Sequence, residues 1–145
     1  KRSVQELFTK DQMANVIVKE VNYTASCVAI NNGNSKFTIK ELPVDVQLSS
    51  VKAIAMVDVN NDGIPDMVTG GNEFGFQPQL GRLDASDGAV LINDGKGSFS
   101  IIKKESSGIQ LPGQVRDIVL LKKNGTLGLL FLQNNEYPVF YQIKK

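Results

Sequence analysis

The sequence predicts an all-β fold built from short antiparallel strands that recur as a repeated unit. Three observations predict it. From about Val16 onward, short apolar runs alternate with clusters of Asn, Asp and Gly, the texture of strands separated by turns. Two of those clusters, Asn31-Asn32-Gly33 and Asn93-Asp94-Gly95, each join one apolar run to the next. Gly and Asn accept positive φ at low cost, which tight hairpin turns require. The third observation is self-similarity at an offset of 62 to 64 residues, the mark of a repeat.

Element by element, the chain opens with Ser3 followed by Glu6 and Thr9 followed by Gln12. Both pairs read as capping boxes, so short helical turns are predicted within residues 4–14. Strands are predicted over 16–21, 25–30, 36–41, 52–57, 66–69, 89–92, 98–103, 116–122, 127–132 and 139–143. The repeat aligns Val28-Ala29-Ile30-Asn31-Asn32-Gly33 with Val90-Leu91-Ile92-Asn93-Asp94-Gly95, and Phe37 with Phe99. It then aligns the run from Val51 to Val57 with that from Val115 to Leu121, and Gly63 with Gly125. Residues 52–57 and 116–121 read as inner strands buried on both faces. The unit is four-stranded with one long loop, a little larger than the roughly 40–50 residues of common propeller blades.

The chain has 145 residues and a formal net charge of +1, enough for one modest domain with a real core. The charge balance points away from nucleic acid and anionic surfaces. No apolar run approaches the roughly 18–20 residues of a membrane span. With no histidine, the commonest general base and transition-metal ligand is missing. A single cysteine, Cys27, forms no internal disulfide and is expected to be a small buried residue.

One segment carries chemistry. In Asp58-Val59-Asn60-Asn61-Asp62-Gly63-Ile64-Pro65-Asp66, oxygen-bearing side chains fall at loop positions one, three, five and nine. Calcium is a hard cation that takes six to eight oxygens at about 2.3–2.6 Å. Asp58, Asn60, Asp62 and Asp66 are the expected side-chain ligands, and the Ile64 carbonyl is expected to point inward. Gly63 permits the sharp turn. Position twelve is Thr69 rather than Glu, so the loop is not an EF-hand. Strands flank it instead. The aligned segment of the second repeat, Lys122-Lys123-Asn124-Gly125, reads as two residues shorter and without carboxylates, with Lys122 in the place of Asp58. One calcium site is therefore expected.

The segment Asp58–Asp66, followed by Met67-Val68-Thr69-Gly70-Gly71-Asn72, resembles an FG-GAP/VCBS repeat, the unit of integrin-α-like β-propellers. The match is residue by residue at Asp58, Asn60, Asp62, Gly63 and Asp66. A wider and weaker match runs from about Glu6 to near the C-terminus, through the stretches from Gly81 to Gly88, from Val90 to Phe99 and from Val115 to Ile118. That stretch is similar to large Bacteroidetes envelope proteins that carry VCBS and cartilage-acidic-protein/UnbV-type domains. The resemblance implies a propeller, structural calcium and a cell-envelope or extracellular setting. It implies no catalytic residue.

Applied to this chain, the resemblance implies a single β-domain of about two blades, a partial propeller. Residues 1–20 would form an N-terminal cap, 24–41 the outer strands of a first blade, 51–104 a full blade and 115–145 part of a last one. Such a segment is expected to be a portion of a longer protein whose remaining blades cover it; a self-contained open β-domain is the other expectation. The loop 73–88 holds Arg82, Asp84 and Asp87 and is the expected place for a ligand, with Arg82 offering a fork for a carboxylate. The plainer expectation is that Phe74 and Phe76 pack the loop down and Arg82 pairs with Asp84 or Asp87. The function expected is a non-enzymatic binding or adhesion module engaging protein or glycan. The alternatives are a scaffold in a polysaccharide-acting enzyme, with Asp84 and Asp87 as its carboxylates, or purely structural terminal blades.

Overall fold

The computed structural model describes residues 6–17, 19–123 and 125–144. The chain is mostly β. Its strands are β1 (Cys27–Asn31), β2 (Phe37–Glu41), β3 (Val51–Val57), β4 (Asp66–Gly71), β5 (Ala89–Asn93), β6 (Phe99–Ile101), β7 (Val115–Lys123), β8 (Thr126–Gln133) and β9 (Val139–Gln142). Three four-residue helices intervene: α1 (Lys10–Met13), α2 (Val44–Gln47) and α3 (Lys104–Ser107). The Thr9–Gln12 capping box is present and starts α1; Ser3 lies outside the described residues.

The strands form three antiparallel sheets, ordered β1-β2, β3-β4-β5-β6 and β7-β8-β9. Every connection within a sheet joins sequence neighbours, through short turns at β1–β2, β5–β6 and β7–β8 and through longer loops at β3–β4 and β4–β5. The four-stranded sheet is packed on both faces. On one face Ala53, Ala55, Val57, Val68 and Val90 meet Val115, Ile118, Leu129 and Phe131 of the third sheet. On the other, Met67 and Leu91 meet Val28 of the first sheet, Val46 of α2 and Leu42 of the link between β2 and α2. All six residues of β4 are buried as a result. Full burial of a side chain such as Leu91 or Phe131 contributes about 1.5–3 kcal/mol each.

Segments aligned by sequence occupy matching register positions. Asn31 pairs with Phe37 and Asn93 with Phe99. In the two turns the Asn32 amide donates to the Lys36 carbonyl at 2.9 Å and the Asp94 amide to the Ser98 carbonyl at 3.0 Å. Asn31 Oδ1 and Asn93 Oδ1 each accept from the glycine two residues on, at 2.9 and 3.0 Å. Those glycines, Gly33 and Gly95, have φ of +79° and +73°, which only glycine adopts without strain. A register shift falls at Val51/Ala53 in one inner pair and at Val115/Asp117 in the other. A short helix follows each hairpin, α2 and α3.

Several expectations are corrected. Of the expected strand 16–21, the described residues 16–17 and 19–21 join no sheet, and Val18 lies outside the described residues; strand propensity without a neighbouring ladder does not make a strand. β3 is buried on one face only, with Ile54 at 55% and Met56 at 44% exposed. The reason is that the first sheet has only two strands and covers the outer part of the central sheet. β7 likewise leaves Leu120 and Leu121 exposed. Cys27 is exposed: Val28 faces the central sheet, so the period of two turns Cys27 outward. The β7–β8 connection is only residues 124–125, against 58–65 between β3 and β4, a larger difference than two residues. Lys122 is a strand residue opposite Leu127, not a counterpart of the Asp58 side chain.

Candidate functional site

The loop between β3 and β4 is held by its own side chains. Asp58 leaves the end of β3 and accepts the amides of Asp62 (3.2 Å) and Gly63 (2.9 Å) on its two oxygens. Asn60 Oδ1 accepts the Asp62 amide at 3.0 Å, and Asp62 Oδ1 accepts the Ile64 amide at 2.8 Å. Asx side chains bond the backbone two residues on with ease, so alternate spacing of Asp and Asn folds the loop. Asn61 and Gly63 supply positive φ, +64° and +84°. Asn60 Nδ2 donates to Asp62 Oδ2 at 2.8 Å.

Asp66 differs from the other three. It is fully buried, and its two oxygens accept the amides of Val59 (3.0 Å) and Asn93 (2.9 Å). It therefore ties both ends of the loop to the β5–β6 hairpin. Asn93 Nδ2 adds a bond to the Pro65 carbonyl at 3.0 Å. Buried carboxylates require such partners.

The donor set of Asp58, Asn60, Asp62, Asp66 and the Ile64 carbonyl is all oxygen, the chemistry a hard divalent cation takes. Among the described residues no three His, Cys, Asp or Glu side chains gather as a metal-binding group. The fit is thus one of donor chemistry and loop course. Asp66 could offer a cation only the lone pairs its two amides leave free.

The loop between β4 and β5 separates its expected ligand residues. Arg82 stacks on Phe74 at 3.9 Å from the ring centroid and pairs through Nε with Asp84 Oδ2 at 3.3 Å. Asp87 instead contacts the Lys104 ammonium of α3 and lines a cleft of about 310 Å³ together with Ser49, Ser86 and Lys104. Arg82 and Asp84 are not part of that cleft's wall. Phe76 is exposed, while Phe74 is half-buried.

Two residues without a sequence signal organise this end of the molecule. Asn72 is fully buried at φ +77°. Its Nδ2 donates to the carbonyls of Ser86 (2.7 Å), Pro112 (3.1 Å) and Gly113 (3.2 Å). Its Oδ1 accepts from Ser49 Oγ at 2.8 Å and the Ser86 amide at 3.0 Å. Glu73 draws together Lys52 (3.0 Å) and Arg116 (3.4 Å). The hydrogen bond from Lys52, then that from the Gly75 amide, hold the Glu73 carboxyl below its ordinary value. The basic residues at 52 and 116 fall at the repeat offset, the one hint the sequence carried. No helix among the described residues is long and apolar enough to cross a membrane.

No family model, no curated protein and no solved structure matches this chain.

Proposed function

We propose that the chain is a calcium-stabilised repeat segment of a β-propeller, acting as a binding or adhesion module of a bacterial cell envelope or extracellular protein. One observation carries the proposal. The pairs β3–β4 and β7–β8 share their register shift, yet only the first is joined by an all-oxygen loop folded on Asp58, Asn60 and Asp62. Calcium at this loop, with the Ile64 carbonyl and Asp66 completing the set, is structural. It offsets the repulsion among three carboxylates and stabilises the fold by mass action. The three sheets take the part of one four-stranded blade with pieces of its neighbours on either side. The partner is a protein or glycan.

A thermal melt with and without calcium tests this, on the native chain and on Asp62→Ala. Calcium at a hundred times its dissociation constant adds about 2.7 kcal/mol, a rise of several degrees. The expected result is a rise for the native chain in calcium over chelator and none for Asp62→Ala. A native chain indifferent to calcium would sink the proposal.

A second reading, terminal sheets that complete a larger structure and have no ligand of their own, is favoured by the exposed apolar side chains Ile54, Met56, Phe37 and Ile39. The enzyme alternative gains no support, because Asp84 and Asp87 are committed to different cations.

A further inference from the structure

Met67 on β4 packs against Val46 of α2 and Val28 of the first sheet. Thr69 stands two residues on and shares that face of the central sheet. There the packing stops short and leaves the cleft of about 310 Å³, with Thr69 and Gly70 of β4 in its wall, α2 and residues 48–50 on one side and α3 on the other. This volume is at the low end for small-ligand pockets, about 300–1,000 Å³, so the cleft suits a small occupant.

The cleft holds hydroxyls without partners. Thr69 is only 3% exposed, and its Oγ1 makes no hydrogen bond among the described residues. No fully buried side-chain oxygen or nitrogen among them lacks a partner, so the little surface Thr69 keeps includes its hydroxyl. Ser50 is half-buried, and its hydroxyl is likewise unbonded among the described residues. Buried polar groups take a partner from whatever fills the space beside them. Asn72 fixes the wall further, since its Oδ1 accepts from Ser49 Oγ at 2.8 Å and from the Ser86 amide at 3.0 Å. Ser86 Oγ accepts the Gly88 amide at 3.1 Å, which leaves its own proton free to donate.

Charge decides the class of ligand. The carboxylates of Asp45, Asp87 and Glu105 share the lining with the ammonium groups of Lys103 and Lys104, and Asp87 is already paired with Lys104. Neither an anion nor a cation finds an unopposed counter-charge there. A hydroxyl is donor and acceptor at once, so it can use serine and threonine hydroxyls, a carboxylate and an ammonium alike. The remaining lining includes the apolar side chains of Val51, Ile101 and Leu48, the last 57% exposed. A ring with hydroxyls at its edge and C–H groups on its face matches both parts.

We propose that this cleft binds a neutral saccharide, with the sugar hydroxyls on Thr69, Ser50, Ser86 and the Asp87–Lys104 pair and its C–H face on Leu48 and Val51. The proposal rests on the binding-module reading and makes its partner a glycan. It lies apart from the 58–66 loop and needs no calcium.

Titration with methyl glycosides of glucose, galactose, mannose, N-acetylglucosamine and fucose tests it, followed by the amide resonances of the native chain in NMR, in calcium and in chelator. At least one glycoside is expected to move the amides of Ser50, Thr69, Ser86 and Asp87 saturably under both conditions, and glycerol to leave them in place. Thr69→Val removes a hydroxyl that bonds nothing else described. It is expected to melt with the native chain and to weaken that glycoside about tenfold. Lys104→Met alters a side chain that is 45% exposed, so folding is not at stake, and a similar loss is expected. A panel that moves none of these amides overturns the proposal. So do shifts that glycerol reproduces, shifts confined to 58–66 or seen only in calcium, or native affinity in both variants. A chain that takes the glycoside but melts alike with and without calcium fails the calcium reading alone.

Discussion

The pairs β3–β4 and β7–β8 are built on one plan and joined in two ways. Both have a register shift two residues into the first strand. In both, the residue after the second strand donates its amide back across that start: Asn72 to the Ser50 carbonyl at 3.0 Å, Asn134 to the Gln114 carbonyl at 2.9 Å. The connections differ. β3–β4 is joined by 58–65 and followed by the long stretch 72–88, while β7–β8 is joined by 124–125 and followed by 134–138. Strand packing is what the two pairs keep, and loop chemistry is what only the first possesses. Function is therefore sought in the first pair's connections, and stability in what both share.

The largest effect is expected where the first pair is tightest. A Cβ at Gly71 would lie 1.7 Å from the Ser50 carbonyl oxygen, so the backbone there must move. Gly71→Ala is expected to cost about 3 kcal/mol in urea unfolding. The matched residue of the second pair is Gln133, opposite Val115, which carries a side chain without harm. A Gly71→Ala protein as stable as the native would mean that the shared register shift is slack in both pairs.

Asn72 and Asn134 separate side chain from backbone. They share the amide bond just described, but only the Asn72 side chain is buried and bonded to Ser49, Ser86, Pro112 and Gly113. Asn72→Ala leaves several buried polar groups without partners and is expected to cost about 2–3 kcal/mol. Asn134 is exposed, and Asn134→Ala is expected to stay within about 0.5 kcal/mol. Equal losses at the two positions would show that the side-chain hub is not what anchors the 72–88 stretch.

Much of this was legible in the sequence, and the limits have physical causes. Nine of the ten expected strands exist, because apolar runs bounded by Asn and Gly admit few alternatives. The described residues of the tenth, 16–17 and 19–21, form no strand for want of a neighbour: propensity is local and pairing is not. The one-sided burial of β3 was illegible for the same reason, since Ile54 and Met56 are apolar whether or not a sheet covers them. The Asx pattern of Asp58, Asn60 and Asp62 was readable because each side chain bonds its own loop. Asn72 was not, because its partners come from three separate places in the chain. Asp66 was read as one more oxygen in the loop, and its bond to the Asn93 amide depends on how β5 lies against β4.

Asp66 and Asp62 sharpen the comparison within the loop itself. Asp66→Asn keeps one acceptor and sets an amide nitrogen against a buried backbone donor, at a cost of about 1–3 kcal/mol. That loss is expected in chelator as well as in calcium. Asp62→Ala removes an exposed side chain and is expected to matter chiefly in calcium. Urea titrations of both variants under both conditions check this. Parallel behaviour of the two would assign them one role rather than anchor and ligand.

The smallest expected effect lies in the two matched hairpins. Asp94 and Asn32 occupy the same place, and only Asp94 titrates. The amides of Ser98 and Lys96, at 2.9 and 2.7 Å, hold the Asp94 carboxyl below its ordinary value of 3.8. With the folded value below the unfolded one, the carboxylate's contribution is complete above the unfolded value and is lost as pH falls through the folded one. The Asn93–Ser98 turn should therefore loosen below about pH 3.8, while the Asn31–Lys36 turn, which lacks this group, should not. The amide resonance of Ser98, followed by NMR through acid, is expected to titrate with a midpoint below 3.8, and Asp94→Asn to abolish that titration. If the Ser98 amide moved at or above the ordinary value, the bonds that distinguish this hairpin from its match would contribute nothing to the carboxylate. The two turns would then be alike in energy as well as in register.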